Sequence, residues 1–352
     1  MMITPSKVAW LLGPFVLVFV LVLGVWADEL APEAPQPEGD EPDLVSLDGL
    51  VPALYLPVVP SPPASWINTQ DRAESQAFYL TQYRAFEGVD SGWTGHHGSC
   101  RRGATSTAFQ DAVLRRINYF RAMAGIPPVS GFIDEYNRKA QEAALMMSVN
   151  NQLSHSPDSS WHCYTEDGRE AAGSSNLAGG IDGAGAMSLY MDDGSGNNPV
   201  GHRRWILYPQ TQFMGTGDVP ARDGHWASNA LWVFDRDNMW RPRPDTREPF
   251  VAWPPPGYVP YQVVYPLWSF AYAGADFSGV AVTMTRDGAP VTIQVSDIVN
   301  GFGENTLVWE PDGYNNVAPG ADVHYTIQVK NVLLNGVAHN FAYEVIVFDP
   351  GG

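Results

Sequence analysis

Between residues 280 and 347 apolar and polar side chains alternate in four runs: Val280-Val282-Met284, Val291-Ile293-Val295, Tyr325-Ile327-Val329 and Tyr343-Val345-Val347. A period of two sends every second side chain to one face, so these runs predict half-buried strands and exclude helices there. Asp287-Gly288 and Asn335-Gly336 lie between such runs, and both dipeptides tolerate the positive φ angles that a two-residue hairpin demands. The C-terminal third is therefore expected to be all β.

Roughly seven short strands over residues 248–352 match the size of an immunoglobulin-like sandwich. No cysteine falls in that stretch, so no disulfide braces it. Trp253 and Trp268 are expected in its core, with a carbohydrate-stacking face as the other reading. Upstream the texture changes, because residues 66–247 hold 20 acids and 17 bases whereas residues 248–352 hold ten acids and two bases. The Arg-Pro-Arg-Pro-Asp run at 241–245 marks the expected boundary, since proline interrupts regular structure. Before it, Thr107 with Gln110 reads as a capping box, and Val113, Leu114, Ile117 and Phe120 follow at helical spacing up to Gly125. A second helix is expected over residues 133–152, with Ala140, Ala143, Ala144 and Met147 on one stripe. Gly-rich loops and short apolar stretches such as Trp205–Leu207 and Ala230–Phe234 suggest helices around a small sheet. The fold class is α+β.

The N-terminus is of another kind. Residues 8–27 form a long apolar run behind Lys7 that ends in Val25-Trp26-Ala27, the pattern of an export signal cut before Asp28. The run is also long enough for an uncleaved signal anchor. Residues 28–65 are Pro-rich with eight acids and no base, which reads as an acidic spacer. The chain beyond is expected to be secreted or held in the cell envelope, touching a membrane only through an uncleaved N-terminal segment. In that compartment Cys100 and Cys163 are expected to pair, two buried thiols being the other reading. A formal net charge of −18 with three lysines argues against a nucleic-acid partner.

No HExxH, GxSxG, P-loop or CxxC pattern occurs. What remains is polar residues in Gly-rich context: Leu153-Ser154-His155, Ser174-Ser175-Asn176-Leu177-Ala178, Tyr190 before Asp192-Asp193, Gly201-His202-Arg203-Arg204-Trp205-Ile206-Leu207, and Met214-Gly215-Thr216-Gly217. In this order, after two helices, the motifs resemble the CAP superfamily of cysteine-rich secretory proteins, insect venom allergens and plant pathogenesis-related proteins. The resemblance covers about residues 105–220. Together with the strands that follow, it is similar to bacterial envelope proteins with a C-terminal β-sandwich.

The resemblance implies an α-β-α sandwich with a cleft where two His and two Glu meet. His155 and His202 match the two family histidines, while Ser175, beside the matching Asn176, and Asp193 stand where the family has glutamates. The implied ligand cleft is His155, Ser175, Asn176, Asp193 and His202. His155, His202 and Asp193 form the expected set for Zn²⁺ or another divalent metal, with Asp193 alternatively orienting an imidazole from outside the coordination sphere. Ser175 cannot act as a general base, so a hydrolytic site would need Glu170 folded into the cleft. The expected function is binding of a small ligand, lipid, glycan or cell-wall component. The alternative is metal-assisted hydrolysis of peptide or cell-wall material with Glu170 as base. Three further segments carry two readings each. Arg203-Arg204 is read as surface ion pairs or an anion contact, the 192–198 loop as a turn or an oxygen-rich calcium-like site, and His96-His97 as a solvated loop or extra metal ligands.

Overall fold

The computed structural model describes residues 66–194 and 197–351. The expected export segment 1–27 and spacer 28–65 lie outside the described residues. Among the described residues, no helix is long and apolar enough to cross a membrane.

Helix α1 (Arg72–Phe78) is capped by Asp71, whose carboxylate accepts from the Ala73 and Glu74 amides. α2 spans Thr107–Met123, and its cap is Ser106, one residue before the expected Thr107. Ser106 keeps extended dihedrals and accepts from the Phe109 N–H, so Gln110 falls one position too late for a reciprocal box and turns to Thr105. β1 (Gly131–Phe132) leads into α3 (Asp134–Asn150), which stops two residues earlier than expected because Asn151 turns left-handed at φ 48°. Then come α4 (Glu166–Gly173), β2 (Ser175–Gly179), α5 (Gly183–Asp192), α6 (Gly201–Ile206), β3 (Phe213–Val219) and β4 (Ser228–Trp232).

The four strands form one sheet in the order β1-β3-β4-β2, parallel only between β1 and β3. Alternation along the strands splits the side chains between two cores. Leu177, Ala230, Trp232 and Val219 pack with the alanine stripe of α3 and with α4, whereas Ala178, Leu231 and Met214 pack with α2, α5 and α6. The expected α-β-α layering follows from this. α3 lies so close to β3 that a Cβ on Gly217 would sit 2.1 Å from the Ala140 carbonyl carbon, and one on Gly215 would meet Tyr136 at 2.4 Å. That explains the two glycines of the Met-Gly-Thr-Gly run. β1 is too short to cover β3, and α3 supplies the missing partners. Asn137 accepts from the Thr216 amide, while the Gln141 amide bonds both N–H and C=O of Asp218.

The C-terminal part contributes β5 (Val251–Trp253), β6 (Gly257–Pro260), β7 (Trp268–Ala271), β8 (Ala281–Arg286), β9 (Ala289–Val291), β10 (Ile293–Val295), β11 (Thr306–Pro311), β12 (Val323–Leu334) and β13 (Val337–Phe348). These nine strands exceed the expected seven, since one alternating run is split into β9 and β10 and two short strands near the start join β7 and β13 respectively. They form two sheets, β10-β11-β7-β5 and β6-β13-β12-β8-β9. The sheets face each other through aromatic contacts, such as Trp268 on β7 against Tyr325 on β12 with ring centroids 5.2 Å apart. Both expected hairpins form, with φ of 49° and 81° at Asp287-Gly288 and 50° and 80° at Asn335-Gly336. Trp253 and Trp268 are fully buried, which removes the carbohydrate-stacking reading.

No helix or strand lies between Trp232 and Val251, yet the two parts are not separate bodies. One hydrophobic core runs through both, with Phe120 edge-on to Trp253 at 5.2 Å. The two arginines after His202 fasten the join. Arg203 donates to the carbonyls of Met191, Asp192 and Leu267 and to the Ser269 hydroxyl. Arg204 donates to the carbonyls of Pro199, Val299, Phe302 and Glu304. Both are buried, and burial lowers each guanidinium pKa to about 10. Surface ion pairing and anion binding are thus both corrected: these cations are consumed by backbone carbonyls.

Candidate functional site

α5 ends at Asp193, which takes a left-handed conformation (φ 61°) and turns its carboxylate back into the protein. One oxygen lies 2.6 Å from His202 Nδ1 and also accepts from the Asn197 amide. The other accepts from the backbone N–H groups of His202 and Arg203. Val200, just before α6, is a β-branched residue at φ 46°, an uncommon and strained conformation. Its side chain is buried against Leu267 and Val308, so the C-terminal sheets help hold the backbone that presents His202.

His155 follows α3 and is exposed, and its Nδ1 donates to the Ala172 carbonyl at 2.8 Å. Burial on its inner sides pushes the imidazole pKa down, the Ala172 bond opposes this, and His202 adds to the lowering. The ring is therefore neutral at pH 7, with its proton on Nδ1 and a lone pair on Nε2. Ser175 and Asn176 begin β2 between the two histidines. The Asn176 side-chain amide donates to the His202 carbonyl, while the Ser175 hydroxyl is buried without a hydrogen-bond partner. Behind them Tyr190 Oη lies 2.8 Å from Asn229 Oδ1 and 3.0 Å from the Asn176 carbonyl. Asn229 in turn donates to Asp218, whose carboxylate accepts from Gly183 at the start of α5. A polar chain thus runs from the head of α5 to the backbone of His202.

The structure joins Asn176 and Asp193 to His202 directly, while His155 bonds the Ala172 carbonyl three residues before Ser175 opens β2. Asp193 corrects the expected three-ligand set: four donors fill its two oxygens, which leaves it orienting His202 rather than facing a metal. Glu170 does not join either imidazole. Its carboxylate is 2.6 Å from Lys139 Nζ and 3.1 Å from Arg236 Nη2, because α4 lies against α3 and turns this residue toward those cations. His97 is buried rather than solvated, bonding Ser148 and stacking on His225 with centroids 4.5 Å apart. His96 caps the turn that follows it. Of the loop after α5, Ser195 and Gly196 lie outside the described residues, and Asp193 and Asn197 serve His202 instead of an ion cluster. Cys100 and Cys163 form the expected disulfide, 5.2 Å apart at Cα.

Asn197, Tyr190, Asn229 and Asp218 escaped sequence reasoning as supports of the site. Only Tyr190 carried a signal, as the aromatic preceding the acid pair.

An α-β-α layer with two histidines at the ends of neighbouring elements defines the class of domain. Residues 114–234 match the family CAP, the Cysteine-rich secretory protein family. This segment is accordingly a CAP domain, running from the middle of α2 to just past β4. No curated protein matches the chain.

Proposed function

We propose that the chain is an exported protein of the cell envelope, of a bacterial type with an immunoglobulin-like C-terminal sandwich, that binds a small ligand, lipid or glycan at the His155/His202 cleft. The observation that carries this reading is the commitment of both Nδ1 atoms, one to Ala172 and one to Asp193. Each ring is fixed in one orientation with Nε2 left over as a ligand or acceptor atom. The donor set fits a divalent ion only in part, since it supplies two imidazoles and no carboxylate. Zn²⁺ held there would take its remaining positions from water or the bound ligand, and it would polarise that ligand. Metal-assisted hydrolysis is less well supported, because its base, Glu170, is engaged by two cations.

The test is calorimetric titration of Zn²⁺ into the metal-stripped, disulfide-bonded full chain, with His155→Ala and His202→Ala beside it. Dissociation constants near or below ~1 µM, weakened at least about tenfold in each variant, are expected. Asp193→Asn should weaken binding about tenfold by releasing the His202 ring. Equal binding in all four proteins would reduce the histidines to structural groups.

A further inference from the structure

The described residues contain one group of at least three His, Cys, Asp or Glu side chains whose ligand atoms all lie within 4.8 Å of one another, and it stands apart from the cleft: Cys100, His162 and Cys163. His162 Nε2 is 3.8 Å from Cys100 Sγ. The histidine is placed there by its backbone, because the Asn150 side chain at the end of α3 accepts from the His162 N–H and donates to its C=O. Cys100 and His162 are exposed, so both solvent and a reductant reach the disulfide.

We infer that this disulfide and His162 are the oxidised form of a Cys₂His metal site, which takes a zinc-class ion once the cysteines are reduced. The ligand chemistry is that of a borderline-soft cation, two thiolates and one imidazole, with the fourth position left to water. Zinc–sulfur and zinc–nitrogen bonds of about 2.3 and 2.0 Å put tetrahedral S···N and S···S separations near ~3.6 and ~3.8 Å. The Cys100–His162 pair, at 3.8 Å, stands within a few tenths of an ångström of the first of these. Reduction frees the two sulfurs to separate by side-chain rotation, and all three ligand atoms already lie within 4.8 Å of one another.

The chemistry balances in two steps. A dithiol reductant gives two electrons and two protons to the disulfide, leaving Cys100 and Cys163 as thiols and the reductant as its own cyclic disulfide. Zn²⁺ then replaces both thiol protons, which pass to solvent, and is bound by the Nε2 lone pair of His162. The same two loops, residues 97–100 and 161–164, are thereby cross-linked covalently in one state and through a metal in the other. Exposed disulfides belong to the more readily reduced kind, which suits such an exchange.

Co²⁺ serves as the spectroscopic probe. The full chain is reduced with a phosphine, freed of reductant without air, and titrated with Co²⁺ and then Zn²⁺. Near-ultraviolet thiolate-to-cobalt bands and visible bands of tetrahedral cobalt are expected only after reduction, and Zn²⁺ should bleach them. His162→Ala, which still forms the disulfide, should weaken Co²⁺ binding at least about tenfold. His155→Ala/His202→Ala should leave the bands unchanged, which separates this site from the cleft. The reduced protein showing no thiolate bands, or His162→Ala binding as tightly as the parent, would overturn the assignment. A reduced chain that has lost its native circular dichroism before metal is added would overturn it as well.

Discussion

The two halves of the molecule bury different chemistry. Residues up to Arg247 place Arg116, Arg121, Gln141, Asn176, Asp193, Arg203, Asp218 and Asn229 inside, among many other polar groups. Beyond Arg247 the buried polar residues among those described are Ser269, Glu304 and Thr306. Even these three sit at the join. Ser269 accepts from Arg203, the Glu304 carbonyl accepts from Arg204, and Thr306 bonds that same carbonyl. The second half is held by aromatic and aliphatic burial, and the first adds to its apolar cores a hydrogen-bonded interior in which each of the eight groups just named has a specific partner. Such networks fix positions closely but are expensive to break, because the partner left behind is desolvated and unpaired.

The sharpest way to break this contrast is Arg203→Met, which keeps the volume but leaves the Met191 and Leu267 carbonyls and the Ser269 hydroxyl without a donor. A loss of about 3–5 kcal/mol is expected in denaturant unfolding. Next in size is Cys100→Ser/Cys163→Ser. The bridge spans 63 residues within the first half, and removing it should cost about 2–4 kcal/mol.

A pH experiment probes one half-buried acid. Burial, with the Asp218 charge adding to it, raises the Asp182 carboxyl pKa to about 6. An acid whose folded pKa exceeds its unfolded value stabilises at low pH, and this contribution is lost as pH rises through about 6. Asp182→Asn should therefore stabilise the protein by about 1–2 kcal/mol at pH 8, after allowance for its partial exposure, and do nothing at pH 4. His155, with its lowered pKa, works in the opposite sense: its contribution fades as pH falls below about 6.5. The smallest effects come from one substitution made twice. Tyr190→Phe removes a hydroxyl bonded to Asn229 and should cost about 1 kcal/mol. Tyr343→Phe removes a buried hydroxyl with no hydrogen-bond partner and should be neutral or slightly stabilising in the same measurement. Equal losses in the two would erase the distinction between the halves.

The same contrast explains what the sequence disclosed. Period-two alternation and Asp-Gly or Asn-Gly turns are local signals, so the strands and hairpins of the second half were legible, as was the alanine stripe of α3. Asp193, His155 and His202 were singled out through motif order, and the structure decides between the two expected places of Asp193 by setting it on His202 Nδ1. Arg203 and Arg204 were misread because most of their acceptors lie far along the chain, the Leu267 carbonyl 64 residues away and that of Glu304 100 residues away. Nothing near an arginine in sequence announces a distant carbonyl. Glu170 failed for a related reason: which cations it would face depended on how α4 packs on α3.

The grip of Arg203 and Arg204 on the C-terminal strands also limits how this chain can be cut and recombined. The family-matched stretch begins within α2 and stops near Phe234. Expressed by itself, it would strip the two guanidinium groups of five of their eight acceptors and leave a strained Val200 facing solvent. Exchanging the C-terminal sandwich for another β module would require carbonyls at the places of Leu267, Val299, Phe302 and Glu304. The boundary visible in charge and proline content is a seam in composition, and the unit that can be inherited or transplanted as a working piece is the pair.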